Sequence, residues 1–223
     1  MTVRAAGVVA AGSLLAACGT TVSGHPVASR SPITAVQTDG GLARLLPDPS
    51  QFPSSYTAIA LPPDSAGEAA ADLEGMLPGA TVDPAACAPA TPTAGPVVSV
   101  GTDDNTRSTL TVELIRTDKK LSSVRDQLQQ CGTVRIGHAG TTATVTTKMD
   151  PAPPSNADDT LALNRTVESA RGGPGLTRSM QTLLGQIGDV RVSVTYMTFG
   201  DGKPDTGALD ALFTTALRKV RKG

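Results

Sequence analysis

Residues 179–199 read SMQTLLGQIGDVRVSVTYMTF. Two runs of alternating apolar residues flank Gly188 and Asp189, a pair suited to a tight reversal, so the stretch predicts a β-hairpin. A chain that closes on such a hairpin invites an antiparallel reading of whatever precedes it.

The segments upstream fit that reading. DTLALNRTVES (159–169), TTATVTTKM (141–149) and TVRIG (133–137) predict three more strands, with PAPPSN as a loop and RGGPG (171–175) as the connection into the hairpin. STLTVELIRT (108–117) sets Leu110, Val112 and Leu114 against Thr109, Thr111 and Glu113, the period-two pattern of a half-buried strand. TDDN marks a turn between it and a short strand, VVSVG (97–101). FPSSYTAIAL (52–61), closed by Pro62 and Pro63, predicts the first strand, and LARLLPDP (42–49) an extended lead-in. The proline-rich stretch 81–96 predicts a long loop pinned by Cys87.

Three helices complete the domain. Ser65 and Glu68 form an S-x-x-E capping box ahead of Ala69, Ala70, Leu73, Met76 and Leu77 at helical spacing, with Pro78 and Gly79 as the stop. Asp118 is placed to cap a second helix in which Leu121, Val124, Leu128 and Cys131 share a face. Asp205 is placed to cap a third, running to Lys222, whose Leu209, Leu212, Phe213, Ala216, Leu217 and Val220 fall within a stripe of about 140 degrees. Residues 42–223 are thus expected to form a single globular α+β domain, an antiparallel β-sheet with about three helices packed on one face.

The N-terminal stretch gives an address. Arg4 precedes an uncharged apolar run, Ala5–Ala17, of about 13 residues, too short to span a bilayer and built like an export signal. SLLAACGT (13–20) contains Leu15, Ala16, Ala17 and Cys18, which resembles the lipobox of bacterial lipoproteins. That resemblance implies a signal peptide at 1–17, cleavage before Cys18 and lipidation of Cys18 by a diacylglyceryl group and often a further acyl chain such as palmitate. At roughly 0.8 kcal/mol per buried methylene, two or three chains hold a protein stably on a membrane. The alternative is a buried N-terminal helix with Cys18 as a free thiol. Residues 18–41, rich in Ser, Thr, Gly and Pro, predict a flexible tether reaching about 25 Å, and His25 falls within it. The expected localisation is extracytoplasmic, anchored to the cell membrane.

Composition removes several chemistries. A net charge of −1 gives no reason to expect nucleic acid, and the one basic cluster, RKVRK (218–222), suits the negative end of the last helix. With no tryptophan and five other aromatics, a stacking site for sugars or planar ligands is disfavoured. His138, in RIGHAG, reads as a solvated turn histidine, and no G-x-S-x-G elbow accompanies any serine, so no catalytic residue is assigned. Two scattered histidines give no metal site and no cofactor is implied. The acid pairs Asp103/Asp104 and Asp158/Asp159 lack calcium-loop spacing and read as solvated loop acids; RGGPG lacks the Lys and Ser or Thr of a phosphate loop; the sequon at Asn164 is read as accidental. With Cys18 assigned to lipid, Cys87 and Cys131 remain as an even pair in an oxidising compartment and predict a disulfide, two reduced buried thiols being the alternative.

From Phe52 onward, FPSSY, the first helix, DPAAC (83–87), the alternating strand, VRDQLQQC (124–131) and GDVRVSVTY with its C-terminal helix resemble a group of mycobacterial and related actinobacterial lipoproteins of unknown function. More distantly they resemble the extracellular sensor domain of a mycobacterial serine/threonine protein kinase. The resemblance implies an antiparallel sheet with flanking helices, a disulfide from the loop after the first helix to the end of the second, matched by Cys87 and Cys131, and a cleft for a ligand. It departs from the kinase domain in lacking further cysteines and a tryptophan near the second one, where this chain has DQLQQC. The expected function is a non-catalytic, sensor-like domain binding a small ligand, a lipid or an envelope protein. The alternatives are a hydrolase-like enzyme working through His138 and a purely structural or antigenic surface protein.

Overall fold

The computed structural model describes residues 41–76, 79–89, 95–170, 177–200 and 202–223. The signal peptide at 1–17, Cys18, His25, nearly all of the 18–41 tether and the RGGPG loop therefore lie outside the described residues.

Nine antiparallel strands form one sheet among the described residues: β1 (Thr57–Ala60), β2 (Thr81–Asp83), β3 (Val97–Asp103), β4 (Ser108–Arg116), β5 (Thr133–His138), β6 (Thr141–Asp150), β7 (Asp159–Ser169), β8 (Arg178–Ile187) and β9 (Val190–Phe199). Their spatial order is β1-β3-β4-β9-β8-β7-β6-β5-β2. The α-helices are α1 (Pro63–Leu73), α2 (Leu121–Cys131) and α3 (Thr206–Lys222), and short 3-10 helices at Leu42–Leu45, Pro49–Gln51 and Ala85–Cys87 add to the helical count. The class is α+β.

The hairpin at 179–199 lies near the middle of the sheet: β8 and β9 pair from Ile187↔Val190 outward around Gly188 and Asp189. Register then sorts side chains by face, since alternate residues point to opposite sides. On one face Leu110, Val112 and Leu114 of β4 neighbour Tyr196, Val194 and Val192 of β9, and Val194 neighbours Leu183 of β8. The apolar stripe of α3 closes over them, joined by Leu42 and Leu46 at the start of the domain. Asp205 caps α3 as expected, accepting a hydrogen bond from the Ala208 N–H at 2.9 Å.

The other face is covered too, which corrects the expectation of helices on one face. Leu121, Val124 and Leu128 of α2 pack on Leu161, Leu163 and Leu184, the alternate positions of β7 and β8. The end of α1 lies over the same face, so closely that a Cβ on Gly75 would stand 3.0 Å from Val145 and 3.1 Å from Val167. The physical reason is in the central strands. Leu161-Ala162-Leu163 and Leu183-Leu184 set apolar side chains on both faces, and each face needs a cover.

Local chemistry departs from expectation at five places. α1 starts at Pro63, with Pro62 as N-cap and no side-chain cap, because proline's fixed φ already suits a first helical turn; Ser65 and Glu68 lie inside the helix. Lys120, not Asp118, is the N-cap of α2. The first strand is only Thr57–Ala60, since Phe52 and Tyr56 turn inward to cover Gly101. The proline-rich loop contains β2, whose Val82 pairs with Ile136 of β5 at the sheet edge, and Leu42–Leu45 is a helical turn rather than extended.

Candidate functional site: a cavity beneath the end of the first helix

Past Leu73 the chain leaves α1 and turns at Gly75, whose φ of +77° is one that glycine adopts without strain. Gly75 itself rests directly on Val145 and Val167, and beside this turn opens a half-open cavity of about 360 Å³. Its lining mixes Val167 of β7, Ile136 of β5 and Ala143 of β6 with the polar Ser169, Thr141 and His138 on the same face, the face that α1 covers. Phe199, the last residue of β9, stands at the mouth with 51% of its surface exposed. Across the sheet Phe199, Arg178 and Val167 form one row on this face. Arg178 Nη1 donates to Asp72 on the last turn of α1, and this ion pair joins helix to sheet at the cavity wall.

His138 is half-buried at the end of β5 and lines the same cavity. That corrects its reading as a solvated turn residue. The turn itself is Ala139-Gly140, both at positive φ (46° and 74°), and the Thr141 hydroxyl donates to the His138 carbonyl at 2.7 Å. A second, smaller cavity of about 230 Å³ lies on the opposite face, where Asp150, Asn164 and Gln181 meet Leu209 and Asp210 of α3.

Beside the first cavity runs a polar strip that the sequence did not announce. Arg165 is nearly buried and donates to the Leu73 carbonyl, to Thr147 Oγ1 at 3.1 Å and to Glu74 at 3.0 Å. Glu113 of β4 faces Ser193 of β9. Burial pushes its carboxyl up to about 7, helped by the nearby Glu74 and opposed by Ser193, Arg191 and Arg165. The hydroxyls of Thr182 and Thr195 pair at 2.9 Å. The signal available was the same alternation that predicted β4: every second residue of that strand is polar, which reads as solvent-facing until a helix is known to cover it.

The other candidate residues hold the fold. Cys87 and Cys131 are joined, tying the turn after β2 to the end of α2. Asp103 is buried, not solvated, and its carboxylate accepts from the Asn105 N–H at 2.9 Å, fixing the TDDN turn. Asp159 takes a two-pronged hydrogen bond from Arg125 of α2 at 2.7 and 2.9 Å, which holds its carboxyl below the usual range. Asp158 accepts from the Gly188 N–H at 2.9 Å and pairs with Arg221, while Lys219 pairs with Asp48 at 2.7 Å, so the basic end of α3 is spent on the domain itself. Among the described residues no group of three or more His, Cys, Asp and Glu side chains is placed to hold a metal, and no helix is long and apolar enough to cross a membrane.

No protein-family model matches the sequence, and no curated protein does. Solved structures with some likeness are the extracellular domain of PknH from Mycobacterium tuberculosis, 17% identical over 65% of this chain and 78% of that one with a TM-score of 0.45, and an uncharacterized protein of Mycobacterium smegmatis (the Rv0999 ortholog), 16% identical over 82% and 98% with a TM-score of 0.46.

Proposed function

We propose that this chain is an extracytoplasmic lipoprotein, held on the cell membrane through acylated Cys18, whose domain binds a small ligand without transforming it. The cavity beneath α1 carries the reading. Its volume falls within the ~300–1,000 Å³ range usual for small-molecule sites, and it combines apolar and hydroxyl-bearing walls with one fixed ion pair. The lipobox supports the anchor, and the joined cysteines suit an oxidising compartment.

Mass spectrometry of the protein recovered from membranes tests the anchor: cleavage before Cys18 with added acyl mass is expected, and an uncut N-terminus without acyl mass overturns it. Binding is tested by native mass spectrometry for retained molecules and thermal-shift screening; a bare protein whose melting point no candidate moves would count against it. A hydrolase reading draws on one observation, that His138, Thr141 and Asp72 line the same cavity. Unchanged hydrolysis in envelope extracts on His138→Ala removes it.

A further inference from the structure

We propose that β1 pairs edge to edge with β1 of a second copy of this chain, antiparallel, about a two-fold axis passing between the two Ile59 residues. β1 is one of the two edge strands of the sheet. Just past its end the Leu61 N–H donates to the Val98 carbonyl at 2.8 Å. Alternation along an antiparallel strand therefore turns the N–H and C=O of Thr57 and Ile59 inward to β3, and those of Ala58 and Ala60 outward. Among the described residues nothing meets these two alanines on the outer side. The open stretch also stops at both ends. The next outward N–H, that of Tyr56, donates to the Pro53 carbonyl at 2.9 Å, while Pro62 has none and its carbonyl accepts from the Ala66 N–H at 2.9 Å.

Two donors and two acceptors are left, on residues that flank Ile59. A two-fold axis at Ile59 sets Ala58 opposite the second copy's Ala60, and Ala60 opposite its Ala58, so every open group of both edges is used. Ile59, 60% exposed on the face that α1 covers, then meets its own equivalent in a non-hydrogen-bonded pair, where Cα atoms stand only about 4.5 Å apart and the side chains touch. The occupant follows from the length of the window. A long peptide strand would run on past Tyr56 and Pro62 with its own amides unmet, whereas the second copy brings a window of the same length. β1 reads Thr-Ala-Ile-Ala, with no charge or proline to repel its image, unlike the opposite edge, where β2 ends in Asp83 and Pro84 follows. So short a pairing buries less than the ~1,200 Å² of stable complexes, which makes it reversible and dependent on local concentration.

Oxidation of the full chain carrying Ile59→Cys, at rising protein concentration and with linked peptides mapped by mass spectrometry, tests the pairing. A 59–59 link that grows with concentration is expected. Thr57→Cys should give no 57–57 link, since those positions lie about 14 Å apart in the paired strands and a disulfide needs Cα atoms within about 7 Å. In sedimentation equilibrium the unaltered chain should show a monomer–dimer equilibrium. Ile59→Lys, which opposes two like charges, should abolish it, and Ile59→Val should keep it. Equal linking at 57 and 59, a dimer indifferent to Ile59→Lys, or a chain monomeric at every concentration would each overturn the pairing. Linking of position 59 only to other proteins, when the variant is oxidised in its own membranes, would overturn the second copy as occupant. Should a variant not fold, the amide resonances of Ala58 and Ala60 in the unaltered chain decide: they should move with concentration, and unmoved resonances overturn the pairing.

Discussion

Glu113 on β4 and Ser193 on β9 face each other across the sheet, on the side that α1 and α2 cover. The folded chain prefers this carboxyl protonated, its pKa standing at about 7 against 4.5 for an exposed glutamate. A group bound more tightly to its proton in the folded state contributes stability that is full below pH 4.5 and is lost as the pH rises to about 7. The loss is at most about 3 kcal/mol. Asp158 and Asp159, whose carboxyls are held low by hydrogen bonds and by Arg221 and Arg125, act in the opposite sense and only below the normal aspartate range. The two windows are therefore separate. In urea titrations from pH 4 to 8, Glu113→Gln should flatten the decline between 4.5 and 7 and stabilise the protein at pH 8. An unaltered slope would show that Glu113 does not titrate there.

Gly185, near the end of β8, leaves room for α3. A Cβ at this position would stand 2.6 Å from Leu217 Cδ2 and 3.2 Å from Phe213 Cζ, both on buried side chains with no space to retreat into. Gly185→Ala should cost about 1–3 kcal/mol by overpacking, although alanine favours a strand more than glycine does. A gain in melting temperature would show that α3 can shift outward.

The difference between what could and could not be read beforehand is visible in these residues. The period-two patterns of β4, β7, β8 and β9 and the helical stripes of α2 and α3 are local, and their positions hold to within a residue or two. Which face each helix covers is not local. Leu183 and Leu184 are adjacent in sequence and lie under α3 and α2 respectively, so the evidence for two covered faces was present as a doublet within an alternating run. The cavity was less legible still. Its lining comes from α1, β5, β6, β7, β8 and β9, and Arg178 and Asp72 meet across 106 positions of sequence. No pattern within one segment reports such a pair. Asp159 looked like a loop residue because its partner, Arg125 on α2, lies 34 positions away and becomes a neighbour only on folding. Asp103, by contrast, accepts from the N–H groups of Asn105 and Thr106, a local turn whose burial alone was hidden.

Arg165 supports the end of α1 from beneath. Its guanidinium serves the Leu73 carbonyl, Thr147 and Glu74 together, with only 9% of the side chain exposed. Arg165→Met keeps the apolar stem and strands a helix-end carbonyl, while the half-exposed Glu74 keeps its water. A loss of about 1–3 kcal/mol is expected. Because Arg165 also favours the charged form of Glu113, the same substitution should move the Glu113 titration to higher pH, by NMR of the carboxyl carbon. A stability loss without that movement would separate the two groups.

The bond between Cys87 and Cys131 closes a loop of 44 residues. On the chain-entropy model its removal releases denatured-state freedom equivalent to roughly 4 kcal/mol. The cost should not be spread evenly. β2 is three residues long, pairs only with β5 and lies at the sheet edge, with Cys87 four residues beyond its last strand residue, so the bridge is its main tether to α2. In Cys87→Ser/Cys131→Ser, hydrogen exchange should lose protection first at Val82 and its partner Ile136, while β8 and β9 at the centre keep theirs until global unfolding. Uniform loss of protection across all nine strands would instead mean that the bridge acts only on the unfolded chain.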